Sequence, residues 1–197
     1  MFKHIKFDFE TLHYLSKMQR IFAFIFILGT SPFLLITLLT IWIIEGETPV
    51  FMQERVGKDK TMFLVYKVRS MKSGKITFLG RIIRKTGIDE IPQLFNILKG
   101  EMNFVGPRPL TQSDIVRLGW NTKHYEKRWS INPGITGLAQ LSPVCDAKIS
   151  WENDQLYIAK RSIWLDLKII WKSMLVPVIG KQRTKQLIHK EPNEHTR

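Results

Sequence analysis

The residues Arg84-Lys85-Thr86-Gly87-Ile88-Asp89-Glu90 set two adjacent carboxylates at the expected opening of a helix, with two cations just upstream. Carboxylates in that place are ordinary capping groups, favoured by unpaired N–H groups and the helix dipole. A functional reading gives them separate tasks. Neighbouring α-helical positions point about 100° apart, so one carboxylate can face a reacting phosphorus while the other holds a metal. Mg²⁺ suits such a pair, since it takes one or two carboxylates together with phosphate oxygens. An aspartate can also act as a nucleophile through an acyl-phosphate. Arg84 would offset phosphate charge. Arg108, between Pro107 and Pro109, carries a planar fork of donors on a rigid backbone, which fits two phosphate oxygens better than a casual surface ion pair. Lys67 and Arg69 are read as facing opposite ways along a strand, so that at most one reaches a given site. Asp154 and Tyr157 stand one helical turn apart and read as capping or core residues. The five histidines show no metal-ligand spacing, and no GxGxxG or P-loop pattern occurs.

These residues need a scaffold. Pro49–Met52 and Met62–Tyr66 flank the polar turn Gly57-Lys58-Asp59-Lys60 and predict a β-hairpin, with Lys67 and Arg69 following on its second strand. Lys72-Ser73-Gly74-Lys75 reads as a loop. A basic helix is expected over Ile76–Lys85, ended by Gly87, and a second from Asp89 to Lys99, stopped by Gly100. Pro92 falls in its first turn, where a missing N–H costs little. The prolines make Val105–Leu110 extended, Asn132–Gly137 reads as a turn-rich loop, and Ile149–Ile158 as a short helix. Arg161–Met174 predicts a longer helix with Trp164, Leu167 and Trp171 on one side. Two readings stand for it: a core-packing helix, or an interfacial one with tryptophans at headgroup depth.

The chain has 197 residues and a formal net charge of +13, which calls for an anionic partner without choosing among nucleic acid, lipid headgroups and phosphorylated substrate. A hydrophobic content of 44% supports a packed core. The lone Cys145 excludes an internal disulfide framework and a Cys-rich zinc site. Charge is segregated: Ile21 to Ile44 holds no charged residue over 24 positions. As a straight helix it would reach roughly 36 Å, enough to cross a hydrocarbon core, so a single span is the default. Ser31-Pro32 at its midpoint predicts a kink, with the Ser31 hydroxyl covering part of the freed backbone. Orientation speaks against the span. Lys3, Lys6, Lys17 and Arg20 precede the segment while Glu45 and Glu47 follow it, so the positive-inside rule would send the polar domain outside, away from cytosolic activated metabolites. A helix that enters, bends at Ser31-Pro32 and returns removes the conflict.

Several blocks, taken together and in order, resemble the bacterial sugar transferases, the monotopic phosphoglycosyl transferases. They are Pro49-Val50-Phe51 with Gln53–Gly57, Tyr66–Met71, the specific block GRIIRKTGIDEIPQLFNILKGEMNFVGPRPL (80–110), PGITGLAQ (133–140), and Ser162 with LDLKII (165–170). The resemblance runs from about residue 18 to 175. It implies transfer of a sugar-1-phosphate from a UDP-sugar to undecaprenyl phosphate with release of UMP, as the first membrane step of glycan assembly. It implies Asp89 as nucleophile, Glu90 as Mg²⁺ ligand, Arg84 and Arg108 as phosphate-binding residues, Lys67 as the functional lysine of a YKFR-like motif, and Asp154 as the family's late acidic residue. It also implies a re-entrant helix broken at Ser31-Pro32, which replaces the span as the expectation. Two departures stand out: SMKSGKITFL between Arg69 and Gly80 is shorter and less acidic than the family's mobile cover, and Gly87 replaces a common serine.

The expected fold is α/β, mostly α. An interfacial segment (1–20) leads into a re-entrant membrane helix (21–44), a catalytic domain (45–180) with a β-hairpin, amphipathic helices and Pro-rich segments, and a basic tail (181–197). The expected place is the cytoplasmic face of the bacterial inner membrane, on anionic phospholipid, with no nucleic acid. Two rivals remain at this level: a catalytically inactive assembly partner, suggested by the short 70–79 segment, and a membrane-tethered nucleic-acid binder driven by the basic excess.

Overall fold

The computed structural model describes residues 9–142 and 146–179. The expected start of the interfacial segment, the tail from 181 and Cys145 lie outside the described residues.

Helix α1 (Phe9–Glu45) takes up the apolar segment and part of the basic stretch before it. It runs through Pro32 as one helical element, so the two separate arms expected around Ser31-Pro32 are not distinguished. The local chemistry explains how the proline is accommodated. Pro32 has no N–H for the carbonyl four residues back, and the Ser31 hydroxyl donates to that same Leu28 carbonyl at 2.8 Å. Thr30, Thr37 and Thr40 likewise donate to carbonyls four residues earlier, leaving few hydroxyls to face an apolar medium unpaired.

One side of α1 packs on the rest of the chain along its length. Ala23 and Ile27 meet Phe63, Leu94, Ile97 and Met102, while Leu34, Leu38 and Ile41 meet Val68 and Ile83. These inward positions recur at helical spacing on both sides of Pro32. Phe22, Phe24, Phe33, Leu35, Ile36 and Trp42 point outward and are exposed. At the end of α1, Lys72 Nζ donates to the Glu45 carbonyl at 2.5 Å, a cation on a helix C-terminus.

The expected hairpin is present: β1 (Val50–Val56) pairs antiparallel with β2 (Met62–Val68), Val50 opposite Val68 and Val56 opposite Met62. The Lys72–Lys75 loop is itself a miniature hairpin, β3 (Met71–Lys72) with β4 (Lys75–Ile76), turned by Ser73 and Gly74 at positive φ. Thr77 then caps α2 (Phe78–Thr86), accepting from the Gly80 N–H, and Gly87 at φ 76° ends it.

The predicted helix from Asp89 to Lys99 is two elements: a 3-10 stretch (Ile88–Gln93), then α3 (Leu94–Lys99), ended by Gly100. Pro92 lacks the N–H for an α-type bond to Ile88, and the Glu90 N–H bonds three residues back to the Gly87 carbonyl. Asp89 and Glu90 therefore sit on the tighter turn. Of the expected apolar face, Leu94 and Ile97 are buried, whereas Phe95 is exposed.

Strand β5 (Asn103–Val105) runs into the extended Pro107-Arg108-Pro109 segment. The predicted loop at Asn132–Gly137 instead supplies β6 (Gly134–Thr136), parallel to β5. A Cβ on Gly134 would stand 2.1 Å from the Gly106 nitrogen, so only glycine admits this approach, which turn-forming composition conceals. Between β5 and β6 lie α4 (Gln112–Leu118), which Thr111 and Asp114 open with a capping box, and a 3-10 stretch (Lys123–Ser130). Helices α5 (Leu138–Leu141), α6 (Ala147–Lys160) and α7 (Ile163–Ile179) complete the fold. Ile169 of α7 is buried with Val105, Leu141 and Tyr157, but Trp164 and Trp171 are 81% and 66% exposed. The tryptophan side of α7 is thus not a core face.

Candidate active site

The acidic pair rides on the 3-10 turn, whose position is fixed from both ends. Upstream, Gly87 reverses the chain after α2. Downstream, the fully buried Asn96 of α3 donates to the Leu64 carbonyl at 2.6 Å and to Glu101 at 2.7 Å, and accepts from the Tyr66 N–H at 3.3 Å. Those bonds clamp α3 to β2 and bring Lys67 alongside the turn. Lys67 Nζ meets Glu90 Oε1 at 3.1 Å, both side chains partly exposed.

Asp89 is the electrostatically stressed member. Burial pushes its carboxyl above the ordinary 3.8 and the adjacent Glu90 adds to this, while Lys67, Arg84 and its own backbone N–H oppose it. Arg84, in the last turn of α2, is steadied by donating Nε to the buried Ser70 hydroxyl at 2.8 Å.

Arg108 has the expected setting: Pro107 and Pro109 are buried and the arginine between them is exposed. Arg108 joins Lys67 and Glu90 in lining an open cleft of about 290 Å³, with Arg55, Val65 and Gln93 among the other walls. Lys67, Arg84, Asp89, Glu90 and Arg108 are therefore brought together. Arg69 is not, and the premise that it opposes Lys67 was wrong in its geometry, because positions two apart share one face of a regular strand. The two part company because β2 stops at Val68; Arg69 bonds the Thr48 carbonyl at 2.6 Å and the Thr48 hydroxyl at 2.8 Å.

Asp154 lies elsewhere. Its Oδ2 accepts from Arg128 Nε at 2.9 Å, with both side chains 3% exposed. Arg128 Nη2 in turn donates to the Arg108 carbonyl at 2.5 Å, and its guanidinium lies over the rings of Trp120 and Trp129. Burial pushes the Asp154 carboxyl up and the Arg128 guanidinium down, and their mutual attraction opposes both. Asp154 thus reaches the cleft only through Arg128 and the backbone of Arg108. Tyr157 is a core residue, donating to the Val105 carbonyl at 3.1 Å and to Asp166 at 2.7 Å.

Sequence reasoning missed Arg55, Arg128 and Gln93 as neighbours of the site. Arg55 donates to the Pro109 carbonyl at 3.2 Å and pairs with Asp114 at 3.4 Å, bracing the proline segment at the carbonyl next to the one Arg128 holds. A polar residue near the end of a predicted strand is too common a pattern to have flagged it.

The arrangement suits anionic phosphate groups: cations from three separate elements, Lys67 of β2, Arg84 of α2 and Arg108 of the proline segment, surround a carboxylate pair. Comparison with known proteins agrees. The sequence model described as Bacterial sugar transferase matches residues 14–180. The UDP-N-acetylgalactosamine-undecaprenyl-phosphate N-acetylgalactosaminephosphotransferase of Aeromonas hydrophila is 34% identical over 169 residues, covering 76% of this chain and 40% of that protein. The UDP-glucose:undecaprenyl-phosphate glucose-1-phosphate transferase of Klebsiella pneumoniae is 34% identical, covering 77% and 37%. An uncharacterized sugar transferase of Bacillus subtilis, EpsL, is 36% identical, covering 79% and 83%. The matched region spans about two-fifths of the Aeromonas and Klebsiella proteins and most of EpsL. On the breadth of the family match and the order of the matching blocks, the chain belongs to the bacterial sugar transferase family.

Proposed function

We propose that the protein transfers a sugar-1-phosphate from a UDP-sugar to undecaprenyl phosphate through a covalent aspartyl-phosphosugar intermediate. The observation that carries this reading is the Asp89-Glu90 pair, held on one tight turn among Lys67, Arg84 and Arg108. A carboxylate oxygen of Asp89 attacks the β-phosphorus of the donor. The bond from that phosphorus to the bridging oxygen breaks, and UMP leaves with the oxygen. The phosphate of undecaprenyl phosphate then attacks the acyl-phosphate, forming the lipid diphosphate and returning Asp89 as a carboxylate. Partial burial of Asp89 removes solvating water from the attacking oxygen. Arg84 and Arg108 offset the charge of the phosphoryl oxygens.

The residues fit Mg²⁺. Lys67 pairs with Oε1 of Glu90, whose carboxylate stays partly exposed to the cleft. No group of three or more His, Cys, Asp or Glu gathers among the described residues, so the rest of the ion's shell would come from phosphate oxygens and water. Glu90 would hold it, and when bound it supplies charge neutralisation for the diphosphate.

The same reading places the protein on the cytoplasmic face of the inner membrane as a monotopic enzyme. Support comes from α1, which packs on the domain on both sides of Pro32 and presents its other sides as exposed apolar surface. Exposed Phe78 and Ile82 of α2 and the Trp164, Leu167, Trp171 and Met174 face of α7 add further exposed apolar surface. The +13 charge favours anionic phospholipid.

The test is UMP release from a panel of UDP-sugars, with and without undecaprenyl phosphate. The expected result is a single-turnover burst without acceptor, a phosphosugar adduct on the peptide carrying Asp89, and loss of both in Asp89→Asn and after chelation of Mg²⁺. Transfer at the parental rate by Asp89→Asn would refute the assignment.

A further inference from the structure

Two carboxamides of the cleft lack part of their hydrogen bonding. Gln93 closes the 3-10 turn that carries the acidic pair. It is 3% exposed, and its Nε2 is buried with no partner among the described residues. Gln140 of α5 donates Nε2 to the Ile135 carbonyl at 3.2 Å. That bond fixes which way the amide points and leaves Oε1 buried and unpartnered. Both side chains line the same cleft as Lys67, Glu90 and Arg108. Orphaned buried polar atoms are costly and uncommon, and they call for an explanation such as a bound group that completes them.

The chemistry of the orphans selects the group. One free edge is an amide donor and the other an acceptor. Phosphate oxygens only accept, so a diphosphate would satisfy Gln93 and leave Gln140 unpaired. A hydroxyl both donates and accepts and can serve either edge. Ile135 adds apolar surface to the same cleft, suited to the C–H face of a sugar ring. Because the sugar is bonded directly to the phosphoryl group that would be transferred, its hydroxyls must arrive beside the wall that grips that group.

We propose that Gln93 and Gln140 form a neutral hydroxyl-binding subsite that receives the sugar of the donor and sets the preference among epimeric sugars. This rests on the cleft being the donor site described above. Gln93→Met and Gln140→Met keep length and remove the polar edge; Gln140 is the less enclosed and guards against a folding defect at Gln93. UMP release is followed with UDP-glucose, UDP-galactose, UDP-N-acetylglucosamine and UDP-N-acetylgalactosamine, together with inhibition by UMP and the melting temperature. The expected result is a fall in kcat/KM of about five- to tenfold for the preferred sugar, a smaller change for its epimer, unchanged inhibition by UMP, and no drop in melting temperature. Equal losses for all four sugars with weaker UMP inhibition would mean that the carboxamides touch the nucleotide, and would overturn the proposal. So would unchanged preferences in both variants. A parental protein that releases UMP from none of the four would bring down the donor-site reading and this inference with it, whereas parental turnover with unaltered preferences removes this inference alone.

Discussion

Truncating Asp154 separates a residue that touches substrate from one that holds another residue in place. The Arg128–Asp154 contact is 2.9 Å long and both side chains are 3% exposed, so Asp154→Ala strands a guanidinium in the interior. Breaking a buried pair by removing one partner costs about 3–5 kcal/mol, a large share of the roughly 5–15 kcal/mol that holds a domain together. For a protein of this size each kcal/mol moves the melting temperature by about 2–4 °C, so a drop of roughly 6–20 °C is expected. Activity per folded molecule should fall less completely. Pro107 and Pro109 remain buried around Arg108, and Arg55 still grips the Pro109 carbonyl; a displacement of the arginine on the order of 1 Å costs up to about 100-fold. The double variant Arg128→Met/Asp154→Leu sharpens the test. Replacing both charges with apolar groups of similar volume is often neutral or stabilising, so the melting temperature should recover. Activity should not recover, because nothing then holds the Arg108 carbonyl. Thermal unfolding and donor kinetics on detergent-solubilised protein read both quantities. Complete loss of transfer in Asp154→Ala at an unchanged melting temperature would refute the reasoning and place Asp154 on the substrate.

Two further outcomes follow from the site and from the outer surface. The Asp89 carboxyl is raised by burial and by Glu90, so the folded state holds that proton more tightly than the unfolded chain, and stability is lost as pH rises through the raised value. Asp89→Asn should therefore melt no lower than the parent at pH 7.5 without Mg²⁺ or donor, and any advantage should vanish toward pH 4; melting several degrees lower at pH 7.5 would contradict the assigned cause. On α7, Trp164 and Trp171 are exposed while Trp120, Trp129 and Trp151 are buried together. Brominated lipid should quench the first two, and Trp164→Phe/Trp171→Phe should remove most of the quenching, leaving that of Trp42; quenching unaltered by the double variant would take α7 out of the membrane surface.

Local signals in the sequence carried most of the scaffold. Alternation and a polar turn specified the β1–β2 hairpin, and glycines at 87 and 100 marked two helix ends because each takes a positive φ there. What escaped depends on contacts between distant segments. Nothing local announces that Gly134 pairs with Asn103 as a parallel strand, since its glycine and proline neighbours also suit a loop. The 3-10 character of the acidic turn is half visible in the sequence: Pro92 is tolerable in a first turn, but its missing bond to Ile88 also loosens the α-helix there. Among the candidate residues, spacing singles out Arg84, Asp89 and Glu90, rigid prolines single out Arg108, and Lys67 stands out only through the resemblance. Asp154 reads as a capping or core residue and is buried, but its partner Arg128, 26 residues away in sequence, reads as one more surface cation.

Under the proposed placement, the conflict between charge and topology falls away because of how α1 packs. The positive-inside rule applies to a segment that crosses, and it sets the basic residues ahead of Ile21 against the acidic pair behind Ile44. For a helix that packs along the domain the comparison changes. Arg20 lies against Gly100 near one end of the packed stripe, and Lys72 bonds the last carbonyl at the other. Both ends of the apolar stretch therefore touch one and the same domain, through Arg20 of α1 against Gly100 and through Lys72 of the domain on the last carbonyl. A helix standing perpendicular to that domain could not touch it at Ala23 and again at Ile41, roughly 27 Å further along a straight axis. In the proposed placement the outward phenylalanines, leucines and isoleucines enter one leaflet, the cations stay at its headgroups, and the cleft opens where a lipid-borne phosphate and a soluble nucleotide can each reach Asp89 in turn.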